Sequence, residues 1–368
     1  MQNLDGQATP RRCLAWLVSV LGLAIAACVH AATPGSDARE SGTAGELSIQ
    51  LNADKLTLAV AKVPQIYLYG NMDAGAPERF DALVRAGKVP RGSDVYLNST
   101  GGDLQAGMAL GRLFRANDIA THLGVPRRTS RSPAAPREAN CMGPCTLAYL
   151  GGLYRWAPTG NDRFGVLPTD PTPAPAAGIA AYLKEMEIHP EWLHPAAPQE
   201  ALLTNEDLVK SGYANNGLQM PNAKYYLMGG APYLMMGQPA RDGERRITLL
   251  CKPEGLTLTA YYMVGFERAR KIMARATGSY VEVDQQQILP GDRESITTNS
   301  ESVVVTRPVP FAELSQFLAA RSMGVWMADR GGAVRYGFRM ELANLQGALK
   351  NYADSCAQAA RKPAPAKS

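Results

Sequence analysis

Val-Tyr-Leu-Asn-Ser-Thr-Gly-Gly-Asp-Leu-Gln-Ala-Gly, from Val95 to Gly107, and Cys-Met-Gly-Pro-Cys-Thr-Leu-Ala-Tyr-Leu-Gly-Gly, from Cys141 to Gly152, are the two stretches whose reading decides the fold. Each reads as a strand that enters a glycine turn and continues as a helix. A strand–turn–helix of this kind gathers backbone N–H groups at a helix mouth, where developing negative charge is stabilised.

Working outward, Ile66 to Tyr69 is a strand ended by Gly70-Asn71, and Leu47 to Val63 alternates weakly enough to supply an early hairpin. Phe80, Leu83 and Val84 fall at i, i+3 and i+4, so Ala76 to Gly87 is helical with Gly87 as its stop. Asp94 to Asn98 is the next strand, Ser99 to Gly102 the turn, and from Asp103 a helix carries Ala106, Leu110, Leu113 and Phe114 on one face. Ile119 to Gly124 is a third strand. Alternation of this type predicts parallel pairing with right-handed crossovers. Val125 to Asn140 reads as a solvated, arginine-rich loop, and Cys145 to Gly152 as a short helix. Thr169 to Gly178, rich in proline and alanine, is expected to be irregular, Ile179 to Ile188 helical, and Thr204 to Leu208 a capped helix start.

These two legs resemble the proteolytic subunit of Clp protease and the Clp/crotonase superfamily, most closely its predicted periplasmic branch. The resemblance runs from Ile66 to Tyr213. It implies an α/β fold, a Clp/crotonase-like spiral of strand–strand–helix units, followed by a smaller α+β domain in which no family is recognised. In that branch the second leg reads Cys-x-Ser-x-Cys, and a Gly-x-His follows about two dozen residues on. Here the serine position is Gly143, and the histidine position, in Arg-Phe-Gly-Val-Leu-Pro from Arg163, is Leu167.

In the family a serine attacks a carbonyl, a histidine takes its proton and an acid orients the histidine. The oxyanion rests against N–H groups of the double-glycine turn and of the residue after the serine. The glycines survive as Gly101 and Gly102, but the residue after the serine position is Pro144, which has no N–H. Nucleophile, base and one donor are therefore absent together. Glu200 falls near the family's acid and has no histidine to orient. Thr146, one helical turn past Gly143, reads as a satisfied helical hydroxyl, and Ser99 and Thr100 as turn residues. His122 lies on a strand. His189 and His194, with Glu187 and Glu191 nearby, form a weak metal-like grouping. Neither a metal nor a cofactor is expected.

The N-terminus reads as an export signal. Arg11-Arg12 precede an apolar run from Cys13 to Cys28 that is too short for a membrane span. Two processing readings stay open: Ile25-Ala26-Ala27-Cys28 resembles a lipobox that would leave a lipid on Cys28, and Val29-His30-Ala31 fits ordinary signal-peptidase cleavage. Of the 6 cysteines, Cys13 and Cys28 lie in this segment. The remaining Cys141, Cys145, Cys251 and Cys356 in an exported chain read as two disulfides, paired 141–145 and 251–356 because residues one helical turn apart lie within bridging distance.

The resulting organisation is a signal peptide over 1–32, a tether over 33–46, a Clp/crotonase-like domain over 47–223, a loop-like linker over 224–243 containing Met228, Met235 and Met236, an α+β domain over 244–358 and a basic tail over 359–368. In the α+β domain Ile247–Leu250, Leu256–Met263, Tyr280–Val283 and Ser302–Thr306 read as strands, and Phe266–Ala276, Phe311–Ala320 and Met340–Tyr352 as helices. The net charge of +5 comes without a basic helix or an aromatic stacking platform, which argues against a nucleic-acid partner. The expectation is a periplasmic, catalytically degenerate protein with a protein or peptide partner. Self-association is expected from the resemblance, and contact with a membrane only through a lipid on Cys28. The alternatives are an active serine-type peptidase working through substitute residues, and a crotonase-like small-molecule site.

Overall fold

The computed structural model describes residues 45–126, 138–165, 173–188, 202–253, 255–288, 294–332 and 334–360. Cys28, Leu167, His189, His194 and Glu200 lie outside the described residues.

The N-terminal part runs β1 (Leu47–Asn52), α1 (Lys55–Ala61), β2 (Gln65–Gly70), α2 (Ala76–Arg85), β3 (Asp94–Asn98), α3 (Leu104–Ala116), β4 (Ala120–Leu123), β5 (Asn140–Cys141), α4 (Pro144–Gly151), β6 (Tyr154–Arg155), β7 (Arg163–Phe164), α5 (Pro173–Glu185) and α6 (Asn205–Lys210). The strands β1-β2-β3-β4-β6 form one sheet, parallel except at the β1–β2 pair, and β5 pairs in parallel with β7. The strand–helix alternation thus gives the parallel sheet it predicts.

Local chemistry explains the helix starts. The carboxylate of Asp103 accepts from the N–H groups of Gln105 and Ala106 at 2.6 and 3.0 Å, and Asp54 does the same for Leu56 and Thr57 at 2.8 and 2.9 Å. Thr204 and Asp207 form a reciprocal capping box ahead of α6. Every residue of α4 is buried. It has no polar face because α3, the sheet and α5 surround it.

Three expectations are corrected here. The early hairpin is instead β1 and β2 joined through α1. Pro173 to Gly178 is not irregular but forms the first half of α5. Pro173 and Pro175 sit in its first turn, where the missing N–H has no intrahelical partner to lose. Lys224 to Gly243 is not a loop: β8 (Asn222–Met228) and β9 (Ala231–Ala240) form an antiparallel hairpin closed by Gly229 and Gly230, both at positive φ.

The C-terminal part continues with β10 (Gly243–Lys252), β11 (Gly255–Met263), α7 (Phe266–Arg275), β12 (Ala276–Val283), β13 (Gln286–Ile288), β14 (Ser295–Thr298), β15 (Ser302–Val309), α8 (Leu314–Leu318), β16 (Ser322–Asp329), β17 (Arg335–Glu341) and α9 (Gln346–Ala360). Two antiparallel sheets, ordered β14-β15-β11-β10-β9-β8 and β13-β12-β16-β17, share one core that includes Leu249, Leu258, Val281 and Val325. Here Met340 lies within β17 rather than opening a helix, and the helix starts at Gln346. The Cys251–Cys356 disulfide ties β10 to α9, with 5.6 Å between the Cα atoms.

Candidate functional site

The two legs meet at the end of β3. The Ser99 N–H donates to the Asn140 carbonyl at 2.7 Å and the Met142 N–H to the Ser99 carbonyl at 3.0 Å, while the Asn140 N–H reaches the Asn98 Oδ1 at 2.9 Å. The end of β3 and the start of the second leg are thereby one piece of sheet.

At the end of β5 the chain turns sharply. Gly143 has φ 60° and ψ −123° and is the N-cap of α4, with Pro144 as the first helical residue. A non-glycine residue in such a strand-to-helix turn would be strained. Glycine adopts it without strain and presents nothing. The Cys141–Cys145 disulfide, with a Cα–Cα distance of 5.1 Å, spans the elbow, and both cysteines are fully buried.

The helix mouth offers little to an anion. Pro144 has no N–H. The Cys145 N–H donates to the Met142 carbonyl at 3.2 Å and the Thr146 N–H to the Gly143 carbonyl at 3.0 Å. In the first leg, Gly102 lies against Met72: a Cβ there would sit 2.2 Å from the Met72 carbonyl oxygen. The Met72 N–H donates to the Gly101 carbonyl at 3.0 Å, and the Asp103 N–H to the Met72 carbonyl at 2.7 Å. The double glycine thus makes a close backbone approach to Met72, two residues past β2.

Two of the candidate substitute nucleophiles are bonded to backbone, and Thr100 is exposed in the turn. The Thr146 hydroxyl, fully buried, donates to the Gly165 carbonyl at 2.5 Å, and the Ser99 hydroxyl donates to the Gly101 carbonyl at 3.2 Å. His122 lies elsewhere, stacked between Tyr96 and Trp156 at centroid distances of 4.7 and 5.8 Å, with Nε2 3.5 Å from Asp94 Oδ1. Among the described residues, no group of three or more His, Cys, Asp or Glu is placed to hold a metal ion.

Sequence reading missed the residues that hold the far end of α4. Arg155 is buried and donates to the carbonyls of Tyr213, Gly152 and Gly212 at 2.7, 2.8 and 3.0 Å. Arg115 donates to those of Gly151, Gly152 and Met186 at 3.1, 3.3 and 3.2 Å. Burial pushes the Arg155 guanidinium down to about 10, so it stays charged at neutral pH, and burial also lowers Arg115. Two cations at a helix C-terminus complement its dipole and satisfy carbonyls the helix leaves open. The Tyr182 hydroxyl donates to the Leu147 carbonyl at 2.7 Å, and burial raises its pKa. Nothing in the motif pattern signals these residues; they follow only from tertiary packing.

No family model matches the chain, and no curated protein does. Among solved structures it is similar to the 1510-N membrane-bound stomatin-specific protease. The likeness is to a serine-to-alanine form and to a lysine-to-alanine form in complex with a substrate peptide. Identity is 15% and the TM-score 0.31 in both cases, over 40% of this chain and 75% or 71% of the other. It is also similar to a human pre-T cell receptor, at 8% identity and a TM-score of 0.15 over 33% of this chain and 97% of that one. Likenesses this slight decide nothing about the site, which stands on its own geometry.

Proposed function

We propose that this chain is an exported, catalytically degenerate Clp-protease-like protein that binds or scaffolds a protein or peptide partner in the cell envelope. The observation that carries the reading is Gly143: a residue without a side chain occupies a strand-to-helix elbow, φ 60° and ψ −123°, and is followed directly by Pro144. Acyl transfer needs a nucleophile, a base and donors aimed at the oxyanion. Gly143 supplies no nucleophile and Pro144 no donor, and the next N–H groups of α4 are already bonded to Met142 and Gly143. Two hydroxyls near the elbow, on Thr146 and Ser99, are committed to backbone carbonyls.

The cysteine pairings support an oxidising compartment, since both bridges join deeply buried sulfurs. No described helix is long and apolar enough to cross a membrane. In this reading any membrane attachment is a lipid on Cys28. Replacing Gly143 by Ser and Leu167 by His restores the family's catalytic pair. With Pro144 in place, peptide hydrolysis by that double variant stays at the background of the parent protein. Robust turnover by it would show that the oxyanion site is intact and that the loss of function is shallow.

A further inference from the structure

β8 is the terminal strand of the six-stranded sheet, and among the described residues it pairs only with β9. It runs for 7 residues, Asn-Ala-Lys-Tyr-Tyr-Leu-Met, and Lys224 is its only charge. Tyr225, Tyr226, Leu227 and Met228 are 47, 45, 65 and 51% exposed. Tyr225 and Leu227 lie on one face of the strand and Tyr226 and Met228 on the other, so apolar surface stays open on both sides of its edge.

An open strand edge is a template for another strand, and proteins usually blunt it. The other terminal strands of this chain are blunted. β14 and β13 are 4 and 3 residues long. β17 carries Arg335 and Arg339, both bonded to Glu282. The Arg155 N–H and carbonyl of β6 are taken by Asn215. The Leu47 N–H and carbonyl of β1 are taken by Asp73 and Arg79. β8 has only Lys224 to blunt an edge of 7 residues.

Its two faces differ. Ala223, Tyr225 and Leu227 alternate onto one face and line up with Met236, Leu234 and Pro232 of β9. On that face a cavity of about 240 Å³, lined by Ala223, Tyr225, Leu234, Ala348, Asn351 and Ser355, separates β8 from α9. The cavity lies beside the small Ala223, and four residues along the same face stands the most exposed apolar side chain of the strand, Leu227.

We propose that β8 is a pairing strand for a second copy of this chain, joined antiparallel about a two-fold axis at Tyr225. This register pairs the whole strand. It sets Leu227 of each copy opposite Ala223 of the other, over the cavity beside it. It also sets Lys224 opposite Tyr226, where an ammonium meets an aromatic ring and no lysine faces a lysine. A two-fold contact of one patch with itself is the commonest closed assembly.

The test uses the full mature chain. Light scattering on a sizing column should report a dimer that Tyr225→Lys converts to monomer, because the axis would then place two lysines opposite each other. Leu227→Lys should do the same with its circular dichroism and melting temperature unchanged, which separates lost pairing from lost folding. Tyr225→Cys should cross-link to a dimer on oxidation, since directly opposed Cα atoms lie about 4.5–5.5 Å apart. Lys224→Cys should not, since its two copies lie about 8 Å apart or more. The proposal is overturned by a parent chain that is monomeric at all concentrations. It is equally overturned by a dimer indifferent to both lysine variants, or by a monomer whose β8 captures an extended peptide instead.

Discussion

A Cβ added to Gly151 would lie 2.2 Å from the Cα of Gly111. α3 and α4 therefore touch backbone to backbone, and one turn earlier Gly107 approaches Pro144 in the same way, with its added Cβ 2.3 Å from the Pro144 carbonyl oxygen. This contact fixes the position of the elbow against the helix that follows the first turn. Gly111 also faces the Tyr182 hydroxyl, so the space is closed from a third side.

Gly151→Ala should accordingly be costly although alanine favours helix. Forcing a methyl group into backbone contact costs about 1–3 kcal/mol by overpacking, and more if the helices cannot separate. Denaturant melts should show a lower midpoint with an unchanged slope. A neutral or stabilised variant would mean that the helices part easily, and that the elbow is not held by this contact.

How much of this was legible in the sequence depends on which forces set each element. Val95, Leu97 and the Asp103 cap announce strand, turn and helix locally, and the one-turn spacing of Cys141 and Cys145 points to the Cys141–Cys145 and Cys251–Cys356 pairs found here. The β8–β9 hairpin was hidden by Pro232 and Pro239, which argue against a strand. They fall second and next to last in β9, where the ladder tolerates them, and Gly229-Gly230 makes the turn between the two strands. Arg155 and Arg115 were invisible because their partners are carbonyls of distant loops, which leave no pattern in the chain.

Asp73 gives the fold an acid limit. Its carboxylate accepts from Arg79 at 2.6 and 3.0 Å and from the N–H groups of Leu47 and Gly75 at 2.8 and 2.9 Å. The bonds from Arg79 foremost hold its pKa far below the ordinary 3.8. A carboxyl depressed in the folded state contributes stability that is fully present above its unfolded value, and that is lost as pH falls from there toward the folded value. Melting temperature should drop below about pH 4, and Asp73→Asn should flatten that drop while lowering stability at pH 7. An unchanged acid profile in Asp73→Asn would assign the acid limit to other groups.

The two disulfides should contribute unequally. The Cys251–Cys356 bridge closes a separation of 105 residues and the Cys141–Cys145 bridge one of 4. Chain entropy assigns the longer closure about 5 kcal/mol and the shorter one about 2 kcal/mol. Paired Cys→Ser replacements, compared by urea melts under oxidising conditions, should rank in that order. The opposite ranking would mean that the short bridge acts on the native elbow rather than on the unfolded chain.

The central claim is that the elbow at Gly143 presents no nucleophile, and the most direct test is intact mass of the purified mature protein after exposure to a broad serine-reactive phosphonate. The account predicts the unmodified mass, less four hydrogens for two disulfides. A single stoichiometric adduct would contradict it, because a reactive hydroxyl would then exist that neither Thr146 nor Ser99, as bonded here, supplies.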